Sequence, residues 1–234
     1  RGIEVTNTPS DIICQAVAEH AVTLILSLAK RIVEADKYVK DGAYKGWDPN
    51  LLIGSELRGK TLGIIGLGRI GSLAGKLGAA LGMKISYTGP SRKEEFEKEC
   101  GGRFGSLEEV LAEADFVSLH VPLTSETHHL INEKTLALMK KTAFLVNTAR
   151  GAVVCERDLV EALSNEVISG AALDVFEDEM FIGPKLRSLD NVILTPHIAS
   201  ATREAREVMS RIAAANVIAV LEGRPPINPA FVSD

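Results

Sequence analysis

The stretch Thr61-Leu62-Gly63-Ile64-Ile65-Gly66-Leu67-Gly68-Arg69-Ile70-Gly71 decides the fold. An apolar run of strand character ends in a Gly-x-Gly-x-x-Gly turn, and helical spacing follows at once, over Ile70–Leu81. Alone the glycine pattern is weak; between a strand and a helix it acquires a mechanical meaning. The first glycine permits a tight turn, the second lets the backbone approach a pyrophosphate, and the third lets helix close on strand. The helix N-terminus then offers unpaired N–H groups to the phosphates. Gly66, Gly68, Arg69, Ile70 and Gly71 are therefore candidate dinucleotide contacts.

The same alternation continues outward. Strand-like runs are expected at Thr61–Gly66, Lys84–Thr88, Asp115–Val121, Ala143–Asn147, Gly170–Asp174 and Val192–Thr195. Helical patterns fall at Lys93–Glu99, Leu107–Ala112, Glu133–Met139 and Glu156–Leu163. The strands are apolar throughout rather than alternating, the mark of a parallel sheet covered on both faces. The expected class is α/β, a doubly wound parallel sheet. Upstream, Asn7-Thr8-Pro9-Ser10-Asp11 signals a helix start, and one helix is expected to run to about Lys40. Downstream, a last helix from Thr202 to Leu221 stops before Gly223 and Pro225-Pro226.

The second strand bears on the cofactor. A carboxylate about 20 residues past the glycines usually bonds the ribose 2′-hydroxyl of NAD. Here Gly89 takes that place, and Ser91, Arg92 and Lys93 follow. No carboxylate repels a 2′-phosphate, and Arg92 can grip one through its planar fork. Arg92 and Lys93 also fit a solvated helix start beside Glu94 and Glu95. NADP(H) is favoured, with NAD(H) as the alternative.

Three polar residues stand where strands or their loops end, the edge at which open α/β sheets bind ligands. Arg150 follows Asn147-Thr148-Ala149, Glu179 lies past Asp174-Val175-Phe176, and His197 follows Thr195-Pro196. The trio suits reduction of a 2-keto acid. Arg150 would hold the carboxylate and polarise the keto oxygen. His197 would donate the proton, and Glu179 would orient the imidazole and favour its protonated form. Singly, each has a plainer reading: a capping histidine, an ion-paired arginine, a solvated acidic loop shared with Glu177 and Asp178.

Composition narrows the partners. With 46% hydrophobic and 24% charged residues the chain carries ample material for a core. A net charge of −5 gives no electrostatic ground for a nucleic-acid or anionic-membrane partner, so any bound anion needs local geometry. Cys14, Cys100 and Cys155 are too far apart for a disulfide framework or a Cys-x-x-Cys metal site, so free thiols in a reducing cytosol and no metal centre are expected. The apolar stretch Ile12–Val33 is interrupted by Glu19, His20, Lys30 and Arg31 and reads as a buried helix rather than a membrane span. The start Arg1-Gly2-Ile3-Glu4 shows no leader pattern, which suggests a cytoplasmic protein. Opening on Arg1, the chain is expected to be a fragment, a processed form or an incomplete record. His20, His120, His128 and His129 need no catalytic role. His120 would line the cofactor cleft, and the His128-His129 pair reads as surface loop.

These stretches together resemble the D-isomer-specific 2-hydroxyacid dehydrogenases. The likeness is carried by Asn7-Thr8-Pro9, Ala18-Glu19-His20, Gly66 to Gly71, and His120-Val121-Pro122-Leu123-Thr124. It continues through Asn147 to Gly151, Gly170 to Phe176, and Thr195-Pro196-His197-Ile198. The resemblance implies a Rossmann domain with most of the second, substrate-binding domain missing. Residues 1–9 would be a remnant of the crossover, 10–201 the dinucleotide-binding domain, and 202–234 a helix and tail returning toward the substrate domain. It places the catalytic arginine, glutamate and histidine on Arg150, Glu179 and His197, and implies that Asp174 meets the nicotinamide carboxamide. Val121, Pro122, Thr127, Thr148 and Ala149 would line the dinucleotide, with His197 beside it. Tyr87-Thr88-Gly89 with Ser91-Arg92-Lys93 looks most like the glyoxylate/hydroxypyruvate reductase branch. That branch implies NADPH, a small 2-keto acid substrate and a D-2-hydroxy acid product, and the long first helix with its Tyr38–Trp47 extension resembles the family's dimerisation element, which implies a homodimer. The competing readings are an NAD-dependent D-3-phosphoglycerate or D-lactate dehydrogenase, a dinucleotide-sensing binding module, and a truncated inactive domain. Met180 stands where the family usually has proline, which leaves Glu177 and Asp178 as rivals of Glu179.

Overall fold

Every strand of the sheet runs parallel to its neighbours. The computed structural model describes residues 3–230. In chain order the elements are α1 (Asp11–Ala29), α2 (Ile32–Lys40), β1 (Thr61–Ile65), α3 (Arg69–Ala80), β2 (Lys84–Thr88) and α4 (Glu94–Cys100). They continue with β3 (Arg103–Phe104), α5 (Leu107–Glu113), β4 (Phe116–Leu119), α6 (Glu133–Leu136) and β5 (Phe144–Asn147). After a short 3-10 turn at Gly151–Val153 come α7 (Glu156–Ser164), β6 (Gly170–Leu173), α8 (Pro184–Arg187), β7 (Val192–Leu194) and α9 (Arg203–Leu221). The strand order is β3-β2-β1-β4-β5-β6-β7. The order reverses between β1 and β4, the kind of switch point at whose C-terminal edge open α/β sheets bind ligands.

The apolar strands now have a physical explanation. Neighbouring residues along each strand face opposite cores. Ile65, Val117, Leu145 and Ala171 pack under α5, α6 and α7. Ile64, Phe116, Val146 and Ala172 pack under α1, α3 and α4. With both faces covered, an unpaired polar side chain along a strand is costly, and apolar residues fill most positions.

Some expectations change. The first helix breaks at Lys30-Arg31, because Ser55 N–H takes the Ala29 carbonyl at 2.7 Å and Arg31 turns left-handed at φ 53°. α2 beyond the break buries none of its residues. The two-residue strand β3 is too short to show a period, and the one-turn helix that Pro184 starts lies outside the expected helices. α1 is long and apolar enough to cross a membrane by length and composition; here Ala18, Ala21, Leu24, Ile25 and Ala29 are buried in the core. Asn7 N–H donates to the Asn228 carbonyl at 3.1 Å and Ala230 N–H to the Val5 carbonyl at 2.8 Å, so residues 5–7 and 228–230 run side by side.

β4 runs out into His120, whose Nε2 lies 2.9 Å from Ser118 Oγ. Burial pushes this imidazole down to about 4. In the unfolded chain it takes a proton below about pH 6.5, whereas in the fold it stays neutral until about pH 4. The unfolded state thus binds the extra proton in that window, and stability falls as pH drops from 6.5 to 4. The loss is at most about 3 to 4 kcal/mol. Urea titrations across this range should show the decline in the wild type and a flatter profile in His120→Gln.

Candidate functional site

The glycine turn is shaped by close backbone approach. Gly66 has φ 98°, and a Cβ there would stand 2.9 Å from the His120 carbonyl. One on Gly71 would stand 2.2 Å from the Gly66 carbonyl oxygen, so α3 can close on the turn only without a side chain. Gly68, the residue before α3, has open space where its Cβ would be. No side chain caps α3, and its first turn holds no acidic residue. Free N–H groups facing an open cradle suit a phosphate. Arg69 and Ile70 open the helix, with Arg69 held by Asp11 at 3.4 Å.

A second sign of a ligand lies one strand beyond β4. Thr148, just past β5, is buried, and its hydroxyl has no partner within the described protein. A buried polar atom left alone points to a missing partner. Ala149 follows it, half-buried. Val121 leans on Gly66, while Thr127 folds its own loop by donating to the Pro122 carbonyl at 2.5 Å and accepting from Thr124 N–H at 2.8 Å. Cradle and orphan hydroxyl together fit a nicotinamide dinucleotide.

At the end of β2, Gly89 lies beside the glycine turn and Ser91 is exposed. Arg92 is not free. It grips Glu97 through Nε at 2.9 Å and Nη2 at 2.7 Å. The arginine holds the Glu97 carboxyl below its usual range, and the buried Tyr87 hydroxyl adds a further hydrogen bond at 2.8 Å.

The catalytic candidates hang from a network centred on Asp174, at the end of β6 with no exposed surface. Its Oδ1 accepts from Thr195 Oγ1 at 2.6 Å and Ile198 N–H at 2.9 Å, and its Oδ2 from Ala199 N–H at 2.8 Å. His20 of α1 brings its Nε2 within 3.4 Å of the same carboxylate. Burial raises the carboxyl, but His20, Thr195 and the two backbone N–H groups outweigh it and leave it lowered. These bonds bracket His197, which is held left-handed at φ 55° with its own N–H on the Asp174 carbonyl at 2.9 Å. So held, its Nδ1 meets Glu179 Oε1 at 3.4 Å, with both side chains about half exposed.

Glu177 is turned away, toward His129 and the N-terminus of α7, which separates it from Glu179 as a partner of His197. Arg150, past β5, stays exposed and donates from Nη1 to the Ala149 carbonyl at 2.7 Å. Nothing in the sequence signals the His20 and His129 contacts, because each pairs with a carboxylate far along the chain. Replacing Asp174 with Ala would take the acceptor from the buried Ala199 N–H and from Ile198 N–H, and leave His20 and Thr195, 3.3 Å apart, with only each other. We expect a loss of roughly 3 kcal/mol or more in urea unfolding.

Known proteins supply an independent line. The family model of the D-isomer specific 2-hydroxyacid dehydrogenase, NAD binding domain, matches residues 22–199. A glyoxylate reductase of Aeropyrum pernix is 52% identical over 233 residues, covering 97% of this chain and 69% of that protein. One of Thermococcus litoralis is 50% identical over 232 residues, covering 97% and 70%. Among solved structures, the TT0316 protein of Thermus thermophilus superposes with a TM-score of 0.91 at 47% identity, over 99% of this chain and 72% of that one. The likeness covers nearly the whole chain and coincides with the cradle and the strand-edge residues described above: the chain belongs to the D-isomer specific 2-hydroxyacid dehydrogenases, NAD(P)-dependent oxidoreductases acting on small 2-hydroxy and 2-keto acids.

Proposed function

We propose that this chain reduces glyoxylate or hydroxypyruvate to the D-2-hydroxy acid with NADPH, using Arg150, Glu179 and His197. The observation that carries the reading is the His197–Glu179 pair, 3.4 Å apart at the same sheet edge as the dinucleotide cradle. When bound, the reduced nicotinamide supplies the hydride to the keto carbon. Glu179 on Nδ1 leaves Nε2 of His197 to give its proton to the keto oxygen. Arg150, with N–H groups to spare beyond Ala149, takes the substrate carboxylate. Gly66, Gly68, Arg69, Ile70 and Gly71 hold the pyrophosphate, while Val121, Pro122, Thr127, Thr148 and Ala149 line the rest of the cofactor. Asp174 is spent on the turn that carries His197, so its contact with the carboxamide would share an oxygen already accepting bonds.

The choice of glyoxylate is supported by glyoxylate reductase relatives at about half identity, and hydroxypyruvate is added as the substrate that the resemblance implies beside it. The NADPH preference is supported by Gly89 in place of a carboxylate, with Arg92 close behind it. The Arg92–Glu97 grip favours NADH instead, because a 2′-phosphate must draw the guanidinium from a carboxylate already bound twice. A homodimer is proposed as well. Ile32, Val33, Val39, Tyr44, Trp47 and Ile53 form an exposed apolar run from α2 onward, the sort of surface that partners cover.

Following NADPH oxidation with hydroxypyruvate should reveal turnover that falls roughly 10²- to 10⁴-fold in His197→Ala. No loss in that variant would remove the proposed proton donor. Arg92→Ala should raise the KM for NADPH and leave that for NADH alone, and Glu97→Gln, which loosens the guanidinium, should lower the NADPH value. Equal KM shifts for both cofactors would instead mark Arg92 as a surface ion pair.

A further inference from the structure

We infer that Glu177 and His129 form a latch that positions Glu179 against His197. The inference rests on the role proposed above for Glu179. Glu179 has little to hold it: its side chain is about half exposed, and its Oε1 accepts from Phe176 N–H at a long 3.3 Å. Beyond it, Met180 and Phe181 are 95% and 66% exposed; Asp178 accepts from Met180 N–H through its side chain at 2.9 Å and from Phe181 N–H through its carbonyl at 3.2 Å, and Ile182 is the next residue to pack on the core. The position of Glu179 therefore depends on where the loop is fixed on either side of it, and the nearer point lies just before it.

That fixed point is Glu177. Its Oε1 lies 2.7 Å from His129 Nε2, and its Oε2 accepts from Glu156 N–H at 2.9 Å, at the first residue of α7. The carboxylate so placed also meets the positive end of a nine-residue helix. His129 is itself tightly held. It is left-handed at φ 52°, its N–H donates to the Ala152 carbonyl at 2.8 Å, and its own carbonyl accepts from Asn132 Nδ2 at 2.8 Å. A backbone in that region costs energy and persists only where its surroundings leave no alternative. The loop is also closed from beneath: a Cβ on Gly151 would stand 1.8 Å from the Phe176 carbonyl oxygen, so the backbone after Arg150 lies directly on the Phe176–Glu177 peptide. One carboxylate thereby ties together the loop after β4, the segment after Arg150 and the loop bearing Glu179. His129 and Glu177 touch neither substrate nor hydride path; they act through Glu179.

The test compares Glu177→Ala, Glu177→Gln, His129→Asn, the double variant Glu177→Ala/His129→Asn, and Glu179→Gln. Asn tolerates the left-handed backbone but cannot reach Glu177. Each latch variant should lower kcat by roughly ten- to hundred-fold, the cost of a small displacement of a reacting group. The KM for the nicotinamide cofactor should stay within about two-fold, because the phosphate cradle is untouched. The double variant should be no worse than the poorer single one, and Glu177→Gln should retain part of the rate, since its amide oxygen still accepts from Glu156. Amide exchange needs no substrate, and should quicken at Phe176, Glu156 and Met180 in Glu177→Ala while the strand amides stay unchanged. Multiplying losses in the double variant, or an unchanged kcat with unchanged exchange at these amides, would overturn the latch. If Glu179→Gln keeps full activity, the role proposed for Glu179 falls and the latch with it. If Glu179→Gln is impaired while Glu177→Ala is not, only the latch falls.

Discussion

A single buried carboxylate carries much of the structure's organisation. Asp174 has no exposed surface, so its charge is tolerable only if every lone pair is used. The fold meets that demand from α1, from the residue after β7 and from two backbone N–H groups of the turn beyond it. Satisfying Asp174 therefore fixes where β6, β7 and α1 stand with respect to one another. It also forces the left-handed backbone at His197, a conformation the sequence alone would not favour. The solvation requirement of one buried group and the aim of an imidazole are met by the same bonds.

The cofactor side works by the opposite means. The chain is net negative, and nothing in its overall charge draws in a phosphate. What holds an anion is local: an uncapped helix start, open space above Gly68 and the tight packing of Gly66 and Gly71. One wall of the crevice is thus made by removing side chains and the other by saturating a carboxylate. Both lie along the C-terminal edge of the sheet, the cradle beside the switch point between β1 and β4 and the carboxylate two strands beyond β4, at the end of β6.

Much of this was open to a reading of the sequence, for physical reasons that differ by element. The central strands showed because burial on both faces leaves only apolar residues at Ile64-Ile65 and Leu145-Val146. The glycine turn showed because only glycine fits at Gly71. α1 and α2 merged into one expected helix because the break at Ala29 comes from Ser55, a residue outside any local window. β3, with two residues, has no period to detect. At the site, Glu179 was separable from Glu177 only in three dimensions, since what distinguishes them is the distant His129. The same holds for His20, whose partner Asp174 lies at the end of a distant strand.

The placement of α1 also bears on how the chain must fold. This helix comes first in sequence, yet its apolar face packs against α3, β5 and β6, the last two of which lie far downstream. Its His20 likewise finds Asp174 only after β6 exists. Within the domain, the surfaces that bury this helix are complete only once β5 and β6 have been made. The resulting contacts are long-range, which slows folding and couples the first element to the last strands. The core around α1 is therefore closed by strands made long after it.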